Sequence, residues 1–148
     1  MSTHSTARDQ LTERQAREIL DAALAAWNSR NLRALAEFYT PDITYWMNWG
    51  GPDNGPREIS GRQELIRNFA EIRDTTESVI EVSRSRLEGN ALKAHFDVRW
   101  RDRQTGLTHL STCRQTLYFS GNRFCRIEEF QDGAALQAFR SLSLGRGK

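Results

Sequence analysis

Along the N-terminal part of the chain, apolar residues recur at steps of three and four. Ala16, Ile19, Leu20, Ala23, Leu24 and Trp27 fall on one face of a helix, with Arg17, Glu18, Asp21 and Asn28 elsewhere on the wheel. Thr12 and Gln15 stand at capping-box spacing ahead of it. The pattern breaks at Ser29 and Arg30 and restarts from Asn31 as a short helix carrying Leu32, Leu35, Ala36 and Tyr39. Pro41 stops that helix, because the residue before a proline is pushed out of the helical region. Asp42–Asn48 then reads as a first strand, and Gly50–Pro56, rich in glycine and proline, as a loop. Ser60 and Gln63 cap a third helix whose buried side is Leu65, Ile66, Phe69 and Ile72.

From Ser78 onward the period changes to two. The predicted strands are Ser78–Leu87, Ala91–Arg103, Leu107–Phe119 and Arg123–Gln131. Each break between them contains a glycine, which suits hairpin connections. Asp132 caps a closing helix, Gly133–Leu144, with Ala135, Leu136 and Phe139 inward. Residues 1–10 and 145–148 read as tails around one domain, 11–144. Helices on one side of a curved antiparallel sheet make this an α+β domain, expected to enclose a pocket of ligand size.

The turns suggest a register. With Thr105 and Gly106 as a two-residue turn and Ser120–Asn122 as a three-residue one, Arg114 lies between Asp97 and Glu128 on one face. Such opposite-charge pairs are worth about 0.2–1 kcal/mol each. The other face carries Ala94, Phe96, Val98 and Trp100, then Ser111, Cys113, Gln115 and Leu117, then Cys125, Ile127, Glu129 and Gln131. Cys113 then faces Glu129 and Cys125 faces Leu117, so the thiols are not disulfide partners. With Trp27, Tyr45, Met47 and Phe69, this apolar face forms the expected pocket wall.

Composition narrows the function classes. The 148 residues are 38% hydrophobic and 27% charged, with a net charge of +2. Arginines are spread along the chain, so no nucleic-acid footprint is expected. No apolar run is long enough for a membrane span, and the N-terminus lacks the pattern of a signal peptide, so a cytoplasmic protein is the default expectation. His4, His95 and His109 are scattered and the two cysteines form no metal-ligand motif. Neither a metal site nor a cofactor is expected.

Glu129 stands out chemically. A carboxylate set among Val98, Cys113 and Ile127 would be desolvated, which raises its pKa and suits it to proton transfer. The competing reading is that it pairs with an arginine or caps a backbone amide. Trp49 and the loop after it could close over the mouth of the pocket, or Tyr45, Met47 and their neighbours could simply fill the core.

The stretch from Trp27 to Tyr45, WNSRNLRALAEFYTPDITY, resembles the opening of SnoaL-like domains, relatives of ketosteroid isomerase and polyketide cyclases in the nuclear-transport-factor-2-like superfamily. Ser60-Gly61-Arg62 and the run from Arg126 to Asp132 match as well, so the likeness extends over residues 11–142. The resemblance implies a cone-shaped mixed sheet closed by helices, a homodimer joined through the outer sheet face, and a small hydrophobic molecule as the partner. Carried over position by position, the isomerase's general-base aspartate falls on Met47 and its oxyanion-hole tyrosine on Ala23. Its protonated aspartate falls on Gln115 and a supporting tyrosine on Phe69, while Tyr39 alone is kept. Steroid isomerisation by that route is therefore not expected. The Asp–Arg–Asp set of the related epoxide hydrolase has a superficial match in Asp97 and Arg99, which the register puts on the outer face.

Two function classes follow. One is an isomerase, cyclase or lyase on a carbonyl compound, with Glu129 as acid–base and Gln115 or Tyr39 polarising the oxygen. The other is a binding, accessory or scaffold protein without chemistry.

Overall fold

The structure is a computed structural model and describes residues 10–132 and residue 134. The predicted closing helix and both tails lie outside the described residues. Helix α1 (Glu13–Asn28) begins at the capping box: Gln15 N donates to Thr12 Oγ1 (3.1 Å) and Thr12 N to Gln15 Oε1 (2.9 Å). Helix α2 (Leu32–Ala36) is capped by the Asn31 side chain. Strand β1 (Tyr39–Met47) follows at once, so Tyr39 opens a strand instead of closing the helix. Pro41 lies where the ladder with the last strand is interrupted between Tyr39 and Thr44, and its missing N–H removes no ladder bond there.

The short strand β2 (Arg57–Ser60) was not expected, since four residues with a single buried apolar side chain, Ile59, carry too little periodicity to see. Ser60 pairs with Thr44, so it cannot cap helix α3 (Arg62–Thr75). Gly61 is the cap residue, at φ +93, a backbone state that glycine adopts without strain. Strands β3 (Thr76–Glu88), β4 (Ala91–Asp102), β5 (Thr108–Ser120) and β6 (Arg123–Gln131) complete a six-stranded sheet in the order β2-β1-β6-β5-β4-β3. Among the described strands only the β1–β6 pair is parallel.

Both predicted turns slip by two residues. The β4–β5 connection is closed by Asp102 N donating to Leu107 O (2.8 Å). The Asp102 carboxylate holds the four residues between by accepting from Gln104 N, Thr105 N and Thr105 Oγ1 at 2.7–3.0 Å. At the β5–β6 turn, Ser120 pairs with Arg123, leaving Gly121 and Asn122 as the turn. Cys125 then falls in a bulge, since Tyr118 pairs with Arg126 but Phe119 with Phe124. The bulge turns Phe124, 1% exposed, into the core in place of Cys125. Both cysteines are free thiols.

A slip of two preserves faces, whereas a slip of one would have inverted them. The inner face therefore stands, but the partners change. Cys113 faces Gln131, and Glu129 faces Gln115. The charged ladder is not formed: Asp97 lies between Glu81 and Thr112, and Arg114 between His95 and Phe130. The Arg114 guanidinium covers the Phe130 ring at 5.4 Å.

Bulges in β1, in β3 between Val82 and Arg84, and at the β5–β6 end curve the sheet around α1 and α3. Leu20, Ala23 and Trp27 of α1 and Leu65 and Phe69 of α3 pack with Phe96, Val98, Leu117, Phe124 and Ile127. Each large side chain so buried contributes about 1.5–3 kcal/mol. Among the described residues no helix is long and apolar enough to cross a membrane.

Candidate functional site

Glu129 sits near the end of β6 on the inner face and is 9% exposed. Its place follows from alternation: Ile127 and Glu129 point inward while Glu128 and Phe130 point outward. Met47 of β1 pairs with it on one side and Gln115 of β5 on the other. Gln115 Nε2 donates to Glu129 Oε1 (2.7 Å) and to the Tyr45 hydroxyl oxygen (3.0 Å). The Tyr45 hydroxyl donates to the same carboxylate oxygen, and Gln131 Nε2 donates to Oε2 (2.6 Å). These donors are all neutral. No cationic side chain pairs with Glu129 among the described residues. The arginine partner of the competing reading is therefore not found.

The surrounding groups are held in their protonated forms. Burial, then the charge of Glu129 and its hydrogen bond, push the Tyr45 hydroxyl pKa well above its ordinary value. Burial and then Glu129 do the same to the Tyr39 hydroxyl and the Cys113 thiol. Tyr45 and Tyr39 thus remain phenols at neutral pH, able to donate but not to take a proton.

Asn48, just past β1, fastens this end of the sheet. Its side chain donates to Gln131 O (3.0 Å) and accepts from Gln131 N (3.0 Å), while its own N–H donates to Glu129 O (3.1 Å). An asparagine at a strand end is the only sequence signal for this, and it is also the usual signal for a plain turn.

The other predicted wall residues divide into three groups. Phe69 is the hub of an aromatic cluster: the Trp27 ring lies edge-on at 5.1 Å, Tyr45 at 5.9 Å and Tyr39, tilted, at 6.4 Å. Phe96, Val98, Cys113, Leu117 and Ile127 are buried in the core, and Met47 is packed against it. Trp100 lies apart. It pairs with His109, six residues along β5 from Gln115, which at the rise of a strand is about 20 Å away. Its indole N–H donates to Ser111 Oγ (2.9 Å).

Tyr39 packs on Phe69 and Phe124, and the phenol bonded to Glu129 is Tyr45. Asp97 and Arg99 are exposed, on the face away from Glu129. A cavity of about 270 Å³ opens at the strand ends, lined by Asn48, His95, Thr112, Cys113, Arg114, Phe130, Gln131 and Asp132. Gln131 borders both this cavity and Glu129.

The family model for the SnoaL-like domain matches residues 20–136. The chain belongs to the SnoaL-like family. No curated protein matches it in sequence. Solved structures share the fold of this SnoaL-like domain at low identity. A protein with a ketosteroid isomerase-like fold from Catenulispora acidiphila, in complex with trimethylamine, is 16% identical, with 82% of this chain and 90% of that one covered at a TM-score of 0.72. A candidate polyketide cyclase from Xanthomonas campestris is 18% identical, covering 85% and 94%, at 0.69. AclR, a candidate hydroxylase from Streptomyces galilaeus, is 15% identical, covering 91% and 98%, at 0.72. These likenesses establish the curved α+β fold.

Proposed function

We propose that this SnoaL-like protein acts on a small, largely apolar carbonyl compound as an isomerase, cyclase or lyase, with Glu129 moving the proton. The observation that carries the reading is a carboxylate nine-tenths buried, bonded by three neutral donors and unpaired with any described cation. A carboxylate paired to arginine is already neutralised, whereas this one is free to take a proton from an acidic carbon. Tyr39 is a further phenol for polarising the carbonyl oxygen, and Tyr45 and Gln115 would do so by turning to it hydrogens that otherwise go to Glu129 and to one another. Gln131 Oε1, buried and without a partner among the described residues, is an acceptor for a ligand hydroxyl. Gln131 and Cys113 also border the cavity at the strand ends, whose other lining includes the outward-facing His95, Thr112, Arg114 and Phe130. The cyclase and hydroxylase names of two structural neighbours support small-molecule chemistry on this fold.

The test is α-proton exchange of enolisable ketones in D2O, followed by NMR. Exchange that is catalysed by the wild type and lost in Glu129→Gln supports the reading; equal exchange in both proteins sinks it.

A second reading, ligand binding without chemistry, is favoured by the closely packed rings of Trp27, Phe69 and Tyr45 and by the Met47 and Ala23 positions. It predicts a ligand whose affinity is the same in wild type and Glu129→Gln.

We also propose a homodimer through the outer sheet face. Trp46 and Phe130 meet there as tilted rings (5.2 Å), and Leu110, 73% exposed, and Val79 flank Arg99 on the same face. Apolar anchors within a polar surround are the usual composition of such an interface.

A further inference from the structure

We propose that the cleft where α1, α3, β3 and the β4–β5 turn meet binds a phosphate group. The cleft is about 220 Å³, and its charged lining is Arg30, Arg73, Arg103, Asp74 and Glu77. It is far from Glu129: Arg101 pairs with Thr108, seven residues along β5 from Gln115 and more than about 20 Å away.

Glu77 is the central counter-charge, reached by Arg30 (2.7 Å), Arg103 (3.4 Å) and Arg101 (3.6 Å). The lining itself holds three guanidiniums, Arg30, Arg73 and Arg103, against the two carboxylates Glu77 and Asp74, an excess of one positive charge to which Arg101 adds from outside the lining. Among the described residues Arg73 has no carboxylate partner. Its guanidinium lies on the Trp27 ring at 4.6 Å and one Nη donates to Trp27 O. Its Nε is buried without a hydrogen-bond partner among the described residues. Unsatisfied buried donors are rare in folded proteins and mark places where a water or an ion completes the structure. Burial, then the charges of Arg30 and Arg103, lower the pKa of Arg73, so the site repels its own cations. Arg30 also holds a left-handed backbone (φ +61), a strained state for a residue with a side chain.

A phosphate matches this set in the sign of its charge and in the donors it takes. It carries about −1.5 to −2 at neutral pH and is drawn to a lining in positive excess. Guanidinium forks bind its oxygens in pairs. A monocarboxylate would supply only one charge, and Glu77 already fills that role.

The test is titration of the full chain with inorganic phosphate, by calorimetry and 31P line broadening, at ionic strength held constant with chloride. The expected result is one saturable site, weakened about tenfold or more in Arg103→Gln, which lies on the exposed turn. Arg73→Lys keeps the charge but not the guanidinium fork or its Nε–H, and should bind phosphate more weakly. Glu77→Gln removes the competing carboxylate and should tighten binding. A parallel titration with glycerol phosphate separates the sources: tighter binding than inorganic phosphate identifies an esterified ligand, weaker binding the free ion. Absence of saturation, equal affinity for acetate, or no change in Arg103→Gln would overturn the proposal.

Discussion

Gln115 and Glu129 face each other across β5 and β6, and the Gln115 amide links the Glu129 carboxylate to the Tyr45 hydroxyl. Strand pairing alone brings this carboxylate and amide together, and β1, the one parallel neighbour of β6, adds the phenol. Two consequences concern Glu129 and Tyr45 directly.

Glu129→Gln preserves the shape of the side chain but leaves one former acceptor as an NH2 group facing other donors. We expect it to fold, with a stability loss of about 1–3 kcal/mol by urea unfolding. Activity on any substrate that depends on Glu129 should fall about 10²–10⁴-fold, read as kcat/KM.

Tyr45→Phe keeps the ring against Phe69 and removes the hydroxyl that bonds Glu129 Oε1. Its expected cost is about 1.5–3 kcal/mol, the range for hydrogen bonds to charged groups. Chemical denaturation with an unchanged m-value would separate this from a loosened core.

Stability should fall in alkali. The folded-state pKa of Tyr45 is raised above its ordinary 10.0, so the folded state binds more protons than the unfolded one above that pH. The tyrosine contribution is fully present below about pH 10 and is lost as pH rises toward the folded pKa. Tyr39 and Cys113 shift in the same direction, the thiol starting from 9.0. Melting temperature against pH should therefore decline above about 9–10, and less steeply in Tyr45→Phe.

Asp102→Ala removes three hydrogen bonds that shape the β4–β5 turn. A loss of about 1–3 kcal/mol is expected, with the Gln104 and Thr105 amides losing protection from hydrogen exchange. Unchanged exchange there would show that the strands alone set the turn.

For the proposed dimer, sedimentation at micromolar concentration should give twice 17.0 kDa, and Leu110→Asp should shift the protein toward 17.0 kDa. A wild-type chain sedimenting only as the 17.0 kDa species refutes it.

The fold and half of the Glu129 cluster were legible for one reason. Alternation assigned Glu129, Gln115, Cys113 and Ile127 to one face, and a period of two survives an error of two in register. Which residues touch was not legible, because that depends on turn geometry. The Asp102 carboxylate makes a four-residue turn where Thr105 and Gly106 suggested two. The bulge at Cys125 exchanges it for Phe124, a choice made by the larger apolar area that phenylalanine buries. The sequence pattern puts Tyr45 in the wall and Tyr39 among the donors. Both lie on β1, and only the parallel pairing with β6 decides which hydroxyl meets Glu129.

By itself, then, the sequence determined the long helices and strands among the described residues, the inner and outer faces, the SnoaL-like resemblance and the isolation of one carboxylate among apolar residues. These follow from periodicity and local propensity, which act within a few residues. The tertiary structure decided the partners of Glu129, the clamp by Asn48 and the gathering of Arg30, Arg73 and Arg103 around Glu77. Those groups are brought together by strand pairing and helix packing, and nothing in the local pattern of a chain records which distant side chains will meet.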